Sequence, residues 1–214
     1  GTSYKVGGAP SSICSADFNS DNKLDLAVLW RNGGHLFSIF INSGSGVFSQ
    51  PVHYYAGGVD CRSIIASDLT RDGRPDLTVI VRGEYGVSDP GWMASYRNNG
   101  DATFTMFWGG SAPHKPWGGC IDVVNSDEYK DLITVGDQTD FPATSVSGGN
   151  PDGTFGSGWF VHAVDTSYGS AAVCTGDFDL DGKVDLAACA KELLVFSNSG
   201  EFVFAEPVGY ETVD

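Results

Sequence analysis

A chain of 214 residues with 41% hydrophobic side chains can bury one sizeable domain or a row of small repeats, and is too apolar for wholesale disorder. Its net charge of −15 excludes the basic surface that nucleic acid needs, and no apolar run approaches the roughly 20 residues of a transmembrane helix. The 29 glycines, above the usual share of about 7%, point with the frequent Asn, Asp and Ser to many tight turns between short strands.

The N-terminal Gly1-Thr2-Ser3 does not read as a signal peptide and leads directly into structured sequence. The first predicted strand, Ser12-Ile-Cys-Ser-Ala16, is built of small and β-branched residues. It ends at an acidic loop, Asp17-Phe-Asn19-Ser-Asp21-Asn-Lys23-Leu-Asp25. An apolar strand, Leu26–Leu29, and a third strand, Phe37–Ile41, follow. A glycine-bearing turn then runs from Asn42 to Phe48, six residues on.

The same order recurs three times. The second loop is Asp68-Leu-Thr70-Arg-Asp72-Gly-Arg74-Pro-Asp76, followed by Leu77–Ile80 and a turn from Asn98 to Phe104. The third, Val123-Val-Asn125-Ser-Asp127-Glu-Tyr-Lys-Asp131, is followed by Leu132–Val135 and a turn from Gly149 to Phe155. The fourth, Asp177-Phe-Asp179-Leu-Asp181-Gly-Lys183-Val-Asp185, precedes Leu186–Cys189, Leu193–Phe196 and a turn, Asn198–Phe202, that reads as shorter. The loops begin 51, 55 and 54 residues apart, and no segment has helical periodicity.

Four short strands every 50 residues or so are what the blades of an all-β propeller require: antiparallel four-stranded sheets that need neighbours to cover their faces. The predicted organisation is one propeller domain over residues 1–214, in repeats of approximately 1–56, 57–113, 114–167 and 168–214. An open solenoid or stacked sandwiches are the alternatives. Tyr4–Gly7 and Pro207–Tyr210 are similar, so the chain spans four whole repeats. They would close a ring by themselves, belong to a larger propeller, or be completed by a second chain as a homo-oligomer.

The spacing i, i+2, i+4, i+8 brings oxygen side chains to one point in a tightly curled loop, and a carbonyl at i+6 adds another. Hard oxygen donors without His or Cys select calcium. Site one would use Asp17, Asn19, Asp21, Asp25 and the carbonyl of Lys23. Site two would use Asp68, Thr70, Asp72, Asp76 and the carbonyl of Arg74. Site four would use Asp177, Asp179, Asp181, Asp185 and the carbonyl of Lys183. Position i+5 holds Asn22, Gly73 or Gly182, which tolerate the positive φ of a sharp turn. The third loop has Val123 as its first residue and Glu128 at i+5. Asn125, Asp127 and Asp131 would therefore make a weak or empty site, with Asp122 one residue too early to help. The four motifs hold twelve aspartates, without which the net charge is −3, so the acidity is ligand density rather than a sign of a basic partner.

Five cysteines lack the spacing of a zinc site, and at least one is unpaired in a monomer. Cys14, Cys120 and Cys174 share a position that holds Ile65 in the second repeat, which predicts a buried apolar site. Disulfides remain open, above all for Cys61 and Cys189.

Asp177-Phe-Asp-Leu-Asp-Gly-Lys-Val-Asp-Leu186, with Phe155-Gly156 and Gly8-Ala9-Pro10 elsewhere, resembles the FG-GAP and VCBS repeat family, whose mark is Asp-Phe-Asn-x-Asp-Gly-x-x-Asp-Leu. The resemblance implies calcium-binding propeller blades in secreted or cell-surface proteins, such as integrin α heads, lectins and some polysaccharide-degrading enzymes. Such propellers usually have about seven blades, against four repeats here.

Three functions are open, of which glycan binding leads. A glycan-binding module would stack sugar rings on Trp92, Trp108 and Trp117, placed in the long loops Glu84–Trp92 and Trp108–Trp117, although aromatic packing between blades also accounts for these residues and for Trp30 and Trp159. A cell-surface protein is the second class of partner. A polysaccharide lyase or hydrolase is the third, with His114 beside Lys115 as its acid–base candidate. His35, His53 and His162 occupy no recurring position, no nucleophile motif is present, and no catalytic residue is assigned.

Overall fold

A computed structural model describes residues 3–4, 9–31, 36–55, 60–83, 91–112, 115–137, 142–163, 172–189 and 192–210. Among these there are sixteen strands and no helix. The first sheet comprises β1 (Pro10–Ala16), β2 (Asp25–Trp30), β3 (Leu36–Phe40) and β4 (Val52–Tyr55). The second comprises β5 (Cys61–Ser67), β6 (Asp76–Val81), β7 (Trp92–Asn98) and β8 (Phe104–Ser111). The third runs through β9 (Lys115–Asp122), β10 (Asp131–Asp137), β11 (Pro142–Gly149) and β12 (Phe155–Ala163). The fourth runs through β13 (Ala172–Gly176), β14 (Asp185–Cys189), β15 (Leu193–Phe196) and β16 (Val208–Tyr210). Every sheet is an antiparallel meander in sequence order, which is the make-up of a propeller blade.

Burial follows position in the sheet. The second strands are the most apolar: all of β6 is buried, and in β2 only Leu26 is half-exposed. A strand flanked on both sides and packed on both faces reads as a continuous apolar run rather than an alternating one, as Leu77-Thr-Val-Ile80 does. The last strands of the first and fourth sheets are short, and β16 is exposed throughout, whereas β8 and β12 are the longest strands of their sheets.

The chain divides into two compact units, Gly1–Ser111 and Ala112–Asp214. In the first, β5 packs on β1 and β2, and Phe18, Leu29, Phe37 and Ile39 share a core with Ile64, Leu77, Val79, Tyr96 and Phe104. Phe37 stacks on Tyr54 with centroids 4.9 Å apart and meets Tyr96 edge-on at 5.0 Å. Burying each such side chain contributes about 1.5–3 kcal/mol. In the second unit β13 packs on β9 and β10, around Val124, Ile133, Val146, Leu186, Leu194 and Phe196.

Two sequence expectations are corrected. The fourth turn is not shorter: Asn198 pairs with Phe204, the same six-residue step as Asn42 with Phe48. Phe202 instead sits inside the turn at a φ of 61°. The shared cysteine position is not uniformly buried either. Cys14 and Cys120 are half-buried and pack on the two cores, but Cys174 is exposed. All five cysteines are free. Burial pushes the thiols of Cys14 and Cys120 up to about 12 and that of Cys61 to about 11, so these three stay protonated.

Candidate metal centre

The four acidic loops join the first strand of each sheet to the second. In loops one, two and four the chain turns left-handed twice. It does so at i+3 in Ser20, Arg71 and Leu180, with φ of 61°, 58° and 63°, and at i+5 in Asn22, Gly73 and Gly182, with φ of 62°, 83° and 87°. The first aspartate fastens that turn. Asp17 accepts hydrogen bonds from the Asp21 and Asn22 amides at 3.0 and 2.7 Å, and Asp68 from the Asp72 and Gly73 amides at 3.2 and 2.9 Å. Asp177 accepts from the Gly182 amide at 3.0 Å. At i+2, Asn19 and Asp179 each accept from the amide of the i+4 aspartate. Thr70 instead donates its hydroxyl to Asp76.

The last aspartate has a part that its spacing does not reveal. Asp25, Asp76, Asp131 and Asp185 are fully buried, and each bridges two backbone amides from different elements. One oxygen accepts from the i+1 amide of its own loop: Phe18 at 3.0 Å, Leu69 at 3.1 Å, Val124 at 2.8 Å and Phe178 at 2.9 Å. The other accepts from the end of the third strand: Asn42 at 2.7 Å, Asn98 at 2.9 Å, Gly149 at 2.8 Å and Asn198 at 2.8 Å. This carboxylate therefore clamps the acidic loop to the outer hairpin in all four repeats. Burial raises the carboxyls of Asp25, Asp76 and Asp131 above their usual range, against the lowering effect of these amides.

The hairpin answers with its own side chain. The Asn42, Asn98 and Asn198 amides donate to the carbonyls of Leu24, Pro75 and Val184, and their oxygens accept from the amides of Gly44, Gly100 and Gly200. Gly149 replaces this asparagine in the third repeat because a Cβ there would lie 2.2 Å from the Lys130 carbonyl oxygen.

Position i+6 also does more than offer a carbonyl. Lys23, Arg74 and Lys183 turn their charged ends onto the i+4 carboxylates of Asp21, Asp72 and Asp181, at 2.8, 2.5 and 2.6 Å. The stems of these three residues lie against Gly44, Gly100 and Gly200 of the hairpin. The hydrogen bond to the lysine holds the Asp21 and Asp181 carboxyls below the usual range. A cation at i+6 in three of the four loops was the available signal for this pairing, and the third loop has Tyr129 there.

Among the described residues, three acidic side chains converge in the fourth loop, where oxygens of Asp177, Asp179 and Asp185 lie within 4.8 Å of one another. An all-oxygen donor set of this kind fits a hard cation such as calcium, because each carboxylate oxygen keeps a second lone pair beside its amide hydrogen bond. Asp181, expected in the same set, faces Lys183 instead. Loops one and two have neutral Asn19 and Thr70 at i+2, so fewer carboxylates gather there. In the third loop Ser126 and Glu128 do not adopt positive φ. Asn125 donates its side-chain amide to Asp127 at 2.7 Å, and Asp122 accepts from the Val123 amide and from the Thr175 hydroxyl of β13, with the Lys130 ammonium 3.8 Å away.

The tryptophans stand on strands, not on long loops: Trp92 opens β7, Trp108 lies in β8 and Trp117 in β9. Trp92 packs against the core of the first unit and against Gly109, whereas Trp108 covers Gly110. Consecutive strand residues face opposite ways, so Trp92 and Trp108 lie on opposite faces of one sheet and are not brought together. Trp30 is buried, and the side chain of Trp159 lies outside the described residues. So do His35, His114, residues 84–90 and the side chain of His162. His53 is held by Ser38 at 2.7 Å, edge-on to Trp30.

None of the curated proteins compared matches the chain. Residues 17–79, from the first acidic loop to the strand after the second, match the FG-GAP-like repeat, so this stretch is similar to that family.

Proposed function

We propose that the chain is a calcium-stabilised, propeller-type binding module of a secreted or cell-surface protein, in which loops one, two and four hold the ions and loop three does not. The observation that carries this reading is the convergence of Asp177, Asp179 and Asp185 in a loop whose curl is set by Leu180 and Gly182 at positive φ. Bound calcium would supply the positive charge that lets these carboxylates stay together. The chain's own residues do the rest: the first aspartate fastens the turn, the last ties it to the hairpin, and the i+6 cation neutralises the aspartate at i+4.

A protein surface is the partner class better supported, because Trp92 and Trp108 on opposite faces of β7–β8 do not make one platform for a sugar ring. Isothermal titration of the metal-free chain with calcium tests the first part, with three ions per chain expected and none bound counting against it. A pull-down from an extracellular protein fraction, run beside a glycan array in calcium and in EDTA, tests the second. Capture of a protein in calcium with a silent array is expected, and array binding lost in Trp108→Ala or Trp117→Ala would return the module to the lectins.

A further inference from the structure

In three of the loops a single residue holds both oxygens of the i+4 carboxylate. Asp21 accepts the Lys23 amide on Oδ1 at 3.0 Å and the Lys23 ammonium on Oδ2 at 2.8 Å. Asp72 accepts the Arg74 amide at 3.0 Å and its guanidinium at 2.5 Å. Asp181 accepts the Lys183 amide at 2.8 Å and its ammonium at 2.6 Å. In the third loop the oxygens of Asp127 accept from the Tyr129 amide and from the uncharged side chain of Asn125. The charged hold thus goes with the loops that open on an aspartate.

This hold shapes the donor set. In the fourth loop Asp177, Asp179 and Asp185 converge, while Asp181, which the spacing puts among them, stays with Lys183. That pair is open to solvent on both sides, the lysine 44% and the aspartate 36% exposed. Exposed ion pairs are weak, so a divalent cation seated among the other carboxylates can displace the ammonium.

The three holds are not equal. Arg74 also donates its Nε to the Asn98 carbonyl at 3.1 Å, on the hairpin that Asp76 clamps. Among the described residues, the ammonium groups of Lys23 and Lys183 donate to their aspartates alone. A planar guanidinium gripping two acceptors is pre-organised for both, so it lets go less readily than a single ammonium.

We propose that residue i+6 is a tethered competitor for the ion: Lys23, Arg74 and Lys183 keep the i+4 carboxylate out of the donor set until they release it, and Arg74 releases it least readily. On the calcium reading above, on which this rests, loops one and four fill ahead of loop two.

Calcium titration of the metal-free full chain at fixed ionic strength, followed through the amide resonances of Asn22, Gly73 and Gly182, reads the three loops separately. Gly73 is expected to saturate last. Arg74→Lys, which keeps the charge and removes the Nε anchor, should bring it forward. Lys183→Met should tighten the fourth loop by about three- to tenfold, the order of effect of taking one nearby positive charge from a divalent ion in water. A double-mutant cycle separates competition from through-space repulsion, which acts on each variant independently. Asp181→Asn should weaken the fourth loop by a larger factor in Lys183→Met than in the wild type, because only there is the carboxylate free to join the set. Circular dichroism checks that each variant is folded, and Lys183→Gln replaces Lys183→Met if the apolar side chain causes aggregation. Equal losses in the two backgrounds, or an Arg74→Lys chain whose second loop fills no earlier, would overturn the competitor and leave the calcium reading standing. A wild type that binds no calcium would overturn both.

Discussion

The third and fourth loops share a unit and a clamp, and differ in almost everything else. Asp131 and Asp185 are both buried, and each accepts from one loop amide and one hairpin amide within 2.9 Å. Around that common point the fourth loop has Asp177, two left-handed residues and Lys183, where the third has Val123, none and Tyr129. The difference teaches that the last aspartate serves the fold, whereas the others serve the proposed ion site. A loop that drops its first carboxylate keeps its place in the sheet.

The largest test of that separation is removal of the metal. A site with calcium at about a hundredfold over its dissociation constant contributes roughly 2.7 kcal/mol, so three independent sites contribute about 8. Thermal unfolding in excess calcium should therefore occur far above unfolding in EDTA at fixed pH and ionic strength. A melting temperature unmoved by EDTA, with metal analysis confirming removal, would leave the clamps as the sole function of the loops.

The clamps are tested next, with EDTA present throughout. Asp131→Ala and Asp185→Ala each strip a charged acceptor from two amides, at a cost of about 3–5 kcal/mol. Urea denaturation should find the two losses similar although only the fourth loop gathers three carboxylates. A near-neutral Asp131→Ala would mean that the third clamp is incidental.

Stoichiometry sharpens the comparison from the other side. Asp177→Val, which gives the fourth loop the third's first residue, should lower the calorimetric count by one ion per chain. Val123→Asp combined with Glu128→Gly should raise it by one. No gain in the double variant would show that Asn125 and Asp127 are too firmly hydrogen-bonded to each other to be recruited.

The smallest effect concerns the turn alone. At Gly182 a Cβ meets nothing within 4 Å, but the φ of 87° penalises any L side chain. Gly182→Ala should cost about 1 kcal/mol in EDTA, read from the urea midpoint, and Glu128→Ala close to none.

Much of this was legible in the sequence because a repeat states its strands four times over. The loop positions, the strand count and the positive φ at Asn22, Gly73 and Gly182 follow from spacing and residue type, which act locally. The hairpin asparagines and the i+6 cations recur as visibly as the aspartates. The role of the asparagines did not follow, because a recurring residue does not name its partner across some twenty positions of chain, whereas the cations pair only two residues away. Trp92 and Trp108 read as loop residues because glycine-rich stretches read as turns, whereas Gly109 and Gly110 lie in β8 under indole rings.

The sequence by itself determined that Asp17-Phe18 and Asp177-Phe178 open the same acidic turn, since local hydrogen bonding and backbone preference suffice for that. Only the tertiary structure decided that Phe18 is fully buried and Phe178 is 48% exposed. The identical dipeptide ends in two environments because burial depends on which hairpin lies across from it, and Asn98 and Phe104 lie across from Phe18.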